Sequence, residues 1–261
     1  MAARKTALGC EMAAGTDTGR VRRTNQDRFG ILEELGLAVV CDGMGGVIGG
    51  EIASSVAVES FLTVVRQEIE SCREATCDLT ARAMSRAAAA ANRAVRARAD
   101  FDIRFRGMGT TLVAARMEGT RLTVLNVGDS RAYLVREGRI RQLTRDHSYV
   151  VEQVRAGLMT EREAARSPLH AAITRAIGIE EDVLPDVFSE EIEAGDLLLL
   201  CSDGLTGHVT EAEIAGEVRD MWGMGRVSGA CERLIERANA GGGSDNITCV
   251  VMRAAPMPVE G

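Results

Sequence analysis

Residues 36–46 read GLAVVCDGMGG, a short apolar run that ends in a cysteine, then Asp42, then a set of glycines. The same grammar returns three times along the chain. LNVGDSR carries Asp129, LLLCSDG carries Asp203, and GGGSDN carries Asp245 with its apolar run following instead of preceding. Val- and Leu-rich runs bounded by Gly, Asp, Ser or Asn read as β-strands, which predicts strands at 36–41, 110–116, 121–127, 132–136, 197–201 and 247–252. The middle three are separated only by MEGTR and GDSRA. Such short links predict an antiparallel meander, not helix-connected parallel strands.

Around these runs the chain reads as helix. Residues 51–71 place Ile52, Val56, Phe61, Val65 and Ile69 on roughly one face, and 78–99 is Ala-rich with Asp78 as an N-cap candidate. Its arginines Arg82, Arg86, Arg93, Arg96 and Arg98 read as a solvated face in preference to a basic binding patch. Two or three short helices are expected over 149–177, and further ones over 211–219 and 227–240. Helices between groups of antiparallel strands suggest sheets with helices packed outside them.

The bulk composition excludes several classes. The 261 residues are 46% hydrophobic and 26% charged, enough for a substantial core and unlike a disordered chain. A formal net charge of −7 argues against a general nucleic-acid binder or an anionic-membrane binder. No uninterrupted apolar run approaches the roughly 18 residues of a membrane span, and the first twenty residues lack the apolar stretch of a secretory signal. The seven cysteines, Cys10, Cys41, Cys72, Cys77, Cys201, Cys231 and Cys249, are odd in number and form no CxxC pair. They read as reduced thiols of a cytoplasmic protein, with Cys41 and Cys201 buried in the core.

A lone Asp at a strand end is most often a turn residue bonding local amides. Four of them are another matter, because strand ends gather at one rim of packed sheets and clustered carboxylates repel unless they hold cations. Oxygen donors without His or Cys suit Mg²⁺ or Mn²⁺, with water completing the shell. No EF-hand loop is present. Paired ions of this kind activate a shared water for phosphoester hydrolysis. In GRVRRTNQD, residues 19–27, Arg22 offers a guanidinium that can fork to two phosphate oxygens. A cysteine phosphatase would need a phosphate loop ending in Arg, which CDGMGG lacks.

GRVRRTNQD, CDGMGG with GGE, GMGTTL, VGDSRAY, LTRDHS, ITRAIG, LLCSDGL and GGGSDNIT occur in this order between Thr16 and Met252. The ordered set resembles the type 2C serine/threonine protein phosphatases (the PPM family), bacterial branch. The resemblance implies an α+β fold, a four-layer αββα sandwich of two antiparallel sheets flanked by helices. It implies a phosphatase domain over 16–253, with N-terminal and C-terminal tails at 1–15 and 254–261 and a flap at about 144–178. Asp42 would bridge two Mg²⁺ or Mn²⁺ ions, the Gly43 carbonyl would bind one of them, and Asp203 and Asp245 would complete the protein ligands. Asp129 matches a ligand for a third, weaker ion, to which Asp203 also contributes. Asp27 would hold metal-bound water and Arg22 the substrate phosphate. The expected reaction is direct attack of a metal-activated water on phosphoserine or phosphothreonine. Expected partners are phosphorylated proteins, among them Ser/Thr kinases and their substrates, in a monomeric signalling enzyme.

One position departs from the pattern. Bacterial relatives often carry His directly after DGMGG, and animal relatives carry it after DG, as candidate proton donor to the leaving group. Here these positions hold Val47 and Met44. The three histidines, His147, His170 and His208, match neither, and His147 and His170 read as surface or packing residues. The missing acid keeps two rivals open. One is a catalytically weakened regulatory binding module of the same fold. The other is a phosphatase for small molecules or phosphoserine regulators of transcription.

Overall fold

The computed structural model describes residues 8–71, 77–223, 227 and 229–256. Cys72, the tail beyond Pro256, and the side chains of Val47, Cys77 and Asp78 lie outside the described residues. Eleven strands are described: β1 (Leu8–Asp17), β2 (Asp27–Leu32), β3 (Leu37–Met44), β4 (Gly109–Thr110), β5 (Leu112–Glu118), β6 (Arg121–Val127), β7 (Arg131–Arg136), β8 (Arg139–Gln142), β9 (Asp186–Glu191), β10 (Leu197–Cys201) and β11 (Ile247–Pro256). The helices are α1 (Gly46–Ser71), α2 (Cys77–Phe101), α3 (Tyr149–Arg155), α4 (Glu161–Ala164), α5 (Asp203–Thr206), α6 (Glu211–Gly223) and α7 (Ala230–Ala240).

The apolar runs are unbroken because their strands are covered on both faces. In β3, Val39 and Cys41 join α1 and α2 in one core, while Ala38 and Val40 face the opposite sheet. In β10, Leu197, Leu199 and Cys201 pack under α6 and α7, and Leu198 and Leu200 enter the layer between the sheets. One sheet has the order β1-β11-β10-β7-β8, and the other β2-β3-β5-β6-β9 with β4 beside β3; every pairing is antiparallel. With α1 and α2 outside one sheet and α6 and α7 outside the other, this is the expected αββα sandwich.

Several details depart from expectation. The predicted meander of three is a pair: β5 and β6 share one sheet, but β7 belongs to the other and pairs with β10. The crossing is made at Gly128, whose φ of 106° and closeness to Thr111 exclude a side chain. The stretch read as a tail, 1–15, contains most of β1, which pairs with β11 through ten residues, and β11 runs on to Pro256 past the expected boundary at 253. By length and composition Ile48–Ser71 could cross a membrane, although no uninterrupted apolar run pointed there. Here it is a core helix, its Ala53, Ala57, Phe61 and Val65 fully buried against the sheet and α2. The arginine face of α2 is the solvated one expected: Arg86 pairs with Glu68 at 2.9 Å, and Arg98 stacks 4.8 Å from the Phe105 ring. The five described cysteines are all free, with Cys41 and Cys201 fully buried.

Phe61 is the largest side chain in the layer joining α1, α2 and the β3 sheet. Truncation in Phe61→Ala is expected to cost about 3–5 kcal/mol of unfolding free energy in urea titrations; a loss below about 1 kcal/mol would show that this layer is loosely packed.

Candidate metal and phosphate site

At the rim where the two sheets meet, a cavity of about 620 Å³ is lined by Asp42, Gly43, Asp129, Asp203, Asp245 and Arg22. All the strand-end aspartates singled out from the sequence meet in it, and each arrives by a different local device. Asp42 ends β3 with its backbone clamped on both sides. Its N–H donates to Thr111 Oγ1 (2.9 Å), and its carbonyl accepts from Thr111 N and Thr110 Oγ1, both at 2.8 Å. The Thr111 hydroxyl also shares a hydrogen bond with Ser130 Oγ at 2.7 Å. Gly43 follows, and any Cβ there would lie 2.0 Å from the Gly50 carbonyl oxygen, so the turn into α1 admits glycine alone. Asp203 opens α5 directly after β10. Asp245 precedes β11 beside Asn246, whose side chain accepts from Gln26 N and donates to the carbonyls of Thr18 and Thr24.

Asp27 lies behind the cavity, fully buried and directly opposite Asp42 in the β2–β3 register. Its Oδ2 accepts from Ser202 Oγ at 2.7 Å, and Ser202 Oγ in turn accepts from Thr248 N. Arg22 sits at the mouth, half exposed, with its guanidinium 2.6 Å from Asp245 Oδ2. Thr110, Thr111, Ser202 and Asn246 all fall inside motifs that the sequence reading quoted. Their part in fixing the carboxylates went unread, because backbone clamping leaves no signature in residue spacing.

The carboxylates are electrostatically strained. Burial, then Asp27, Asp203 and Asp129, push Asp42 well above the usual carboxylate range. Burial and Asp245 raise Asp203. Burial beside Asp203 and Asp146 lifts Asp129 to about 7, and burial lifts Asp27 to about 6. Asp27 Oδ1 and Asp203 Oδ1 are buried without a hydrogen-bond partner. Buried acceptors of this kind are costly unless something supplies positive charge. Hard oxygen donors, orphaned and mutually repelling, fit Mg²⁺ or Mn²⁺. Among the described residues no three His, Cys, Asp or Glu side chains close a cage on one ion. That suits cations that bind through one or two carboxylates and keep several waters.

Cys41 and Cys201, though adjacent to Asp42 and Ser202, point into the helix-covered cores. Burial pushes the Cys41 thiol up and the Cys201 thiol up to about 12, so neither offers a thiolate. The 144–178 segment carries α3 and α4, two short helices within the expected range, and brings Ala171 and Ile173 to the cavity wall. His147 is buried, a packing residue as expected. His170 is exposed, a surface residue as expected, and stands at the cavity edge, where it lines an adjoining space of about 610 Å³ with His208, Arg22, Asp129, Asp203 and Asp245.

Comparison with known proteins places these features in a family. The family model for protein phosphatase 2C matches residues 14–237. The serine/threonine phosphatase stp of Listeria innocua is 37% identical over 244 residues, covering 91% of this chain and 93% of that protein. The solved S. agalactiae serine/threonine phosphatase superposes with a TM-score of 0.83 at 34% identity, covering 94% of this chain and 99% of that one. The catalytic domain of the serine/threonine protein phosphatase PstP, solved with two manganese ions, gives a TM-score of 0.81 at 35% identity, with 95% and 99% covered.

The strained carboxylates predict how the metal-free protein behaves. An acid whose folded value exceeds its unfolded one binds more protons when folded, so stability falls as pH rises between the two values. Metal-free protein should therefore lose stability from pH 3.8 up to about 7, the window set by Asp27 and Asp129. Mn²⁺ should restore it at neutral pH. Asp42→Asn removes one repelling charge, so metal-free variant should melt at or above metal-free wild type, by roughly 2–4 °C per kcal/mol relieved, and Mn²⁺ should no longer raise its Tm. Calorimetry with and without Mn²⁺ measures both; an undiminished Mn²⁺ shift in the variant would sink the assignment of Asp42 as a ligand.

Proposed function

The chain belongs to the protein phosphatase 2C family and is a metal-dependent serine/threonine phosphatase that uses Mg²⁺ or Mn²⁺, and we propose that Asp42, the Gly43 carbonyl, Asp203 and Asp245 hold two ions while Arg22 grips the phosphoryl group. The observation that carries this assignment is the convergence of Asp42, Asp129, Asp203 and Asp245 in one cavity with Asp203 Oδ1 unpartnered. Asp129, which lines the same cavity as Asp203, would be the donor for a third ion. When bound, such ions supply an activated water and offset charge on the phosphoryl oxygens.

The protein's own groups do the rest. Arg22, exposed at the mouth and held only by Asp245, can turn its fork onto two phosphate oxygens. Asp27 keeps Oδ2 on Ser202 and leaves Oδ1 free to orient a water at the back of the site. No cysteine or serine is among the described residues lining the main cavity, which supports direct attack by water over a covalent phospho-enzyme. Residues 8–256, the span that the two sheets occupy, act as the phosphatase domain, with 144–178 as the flap that shapes substrate entry. The substrates are phosphorylated proteins, with Ser/Thr kinases and their targets in the cytoplasm as the proposed partners and a monomer as the working unit.

The test is phosphate release from a phosphothreonine peptide with and without Mn²⁺. Wild type should release phosphate only with Mn²⁺, and Asp203→Asn should abolish release while leaving a folded protein. Arg22→Ala should lower kcat/KM about ten- to a hundredfold, the worth of hydrogen bonds to a charged group. A wild type silent with Mn²⁺ would instead favour the weakened binding module.

A further inference from the structure

The aspartates that line the main chamber are taken up as proposed metal ligands, and among the described residues no histidine, cysteine, lysine, tyrosine or glutamate lines it to hand a proton to a departing alkoxide. The three histidines differ in what their nitrogens are doing. His147 is buried, its Nδ1 accepting from Gly128 N at 3.1 Å and its Nε2 3.4 Å from Asp186 Oδ2. His208 accepts from Ser244 N through Nε2 at 3.0 Å, so that nitrogen presents a lone pair and carries no proton to give. His170 is arranged the other way. Its Nδ1 lies 3.0 Å from the Ser167 carbonyl oxygen, and a carbonyl only accepts, so Nδ1 carries the proton and Nε2 is left as the working atom.

The ring is also positioned. His170 N bonds back to Ser167 O, Leu169 N bonds Ser167 Oγ, and Ala172 O accepts from Tyr149 N at 2.8 Å, fastening the turn to the start of α3. The next residue, Ala171, borders both the main cavity and the adjoining one that His170 lines with Arg22, Asp129, Asp203 and Asp245. Taking the phosphatase reading as its premise, we infer that His170 is the proton donor to the leaving serine or threonine oxygen, supplied from the 144–178 segment instead of from the start of α1. The donor form is the imidazolium, which carries a second proton on Nε2: the bond from phosphorus to that oxygen breaks with its electron pair staying on oxygen, and that Nε2 proton moves onto it. What remains is the neutral Nδ1–H tautomer that Ser167 already holds. The entering water forms the new bond to phosphorus and sheds one proton, which returns through solvent to Nε2.

An acid of this kind matters in proportion to how poor the leaving group is. The full chain with Mn²⁺, as wild type, His170→Gln and His170→Ala, should be assayed on a phosphothreonine peptide and on p-nitrophenyl phosphate. Both variants should lose about a hundredfold in kcat on the peptide but no more than about threefold on the aryl ester, and added imidazole should restore part of the peptide rate to His170→Ala. Circular dichroism and the Mn²⁺-induced rise in Tm check independently that the variants are folded and hold metal. An equal loss on both substrates, or no loss on the peptide, overturns the inference. A wild type without Mn²⁺-dependent turnover of either ester overturns the phosphatase reading beneath it.

Discussion

Repulsion among buried carboxylates is the constraint around which the rim of this sandwich is built. Asp27, Asp42, Asp129 and Asp203 are pushed towards protonation by burial and by one another, and a flexible chain would let them drift apart. The backbone prevents it. Asp42 is gripped from both sides by Thr110 and Thr111, Asp27 is tied through Ser202 to β11, and Asn246 joins the Asp245 turn to the segment before β2. These hydrogen bonds join segments far apart in sequence, and they hold geometry that the charges alone would undo.

The central strands were legible because they are covered on both faces and so read as continuous Val and Leu; β6 and β10 fall on the predicted residues. The edge strands were not. β1 is built from Gly, Ala, Met and Cys and is mostly half-buried, and β9 alternates exposed and half-buried residues through DVFSEE, so neither carries a strong apolar signal. The candidate site was legible as Asp identities in ordered motifs, since carboxylate chemistry shows in residue type. The groups that aim those carboxylates were hidden, because Thr111, Ser202 and Asn246 act through backbone partners far away in sequence. His170 was read as a surface or packing residue for the same reason: nothing in the sequence says which cavity the turn after Pro168 faces.

The segment between β8 and β9 is fastened at both ends to strands that bear site residues. Ile177 bridges Thr110, whose hydroxyl holds the Asp42 carbonyl, while His147 accepts from Gly128, the neighbour of Asp129. Its middle is the opposite, with Leu158 and Leu169 exposed and α4 only four residues long. Strong ends and a thinly packed centre anchor the rim carboxylates independently of that centre.

The ten-residue pairing of β1 with β11 sets a schedule for synthesis. β11 lies between β1 and β10, so its sheet has a gap in the middle until residues 247–256 have left the ribosome. Until then β1 waits for a partner more than two hundred residues away in sequence, and the edge of β10 stays open on that side. Closing so long a loop late is slow and leaves bare strand edges exposed meanwhile. A product that lacks β11 would keep those bare edges and would be prone to aggregate, not to fold into a smaller sandwich.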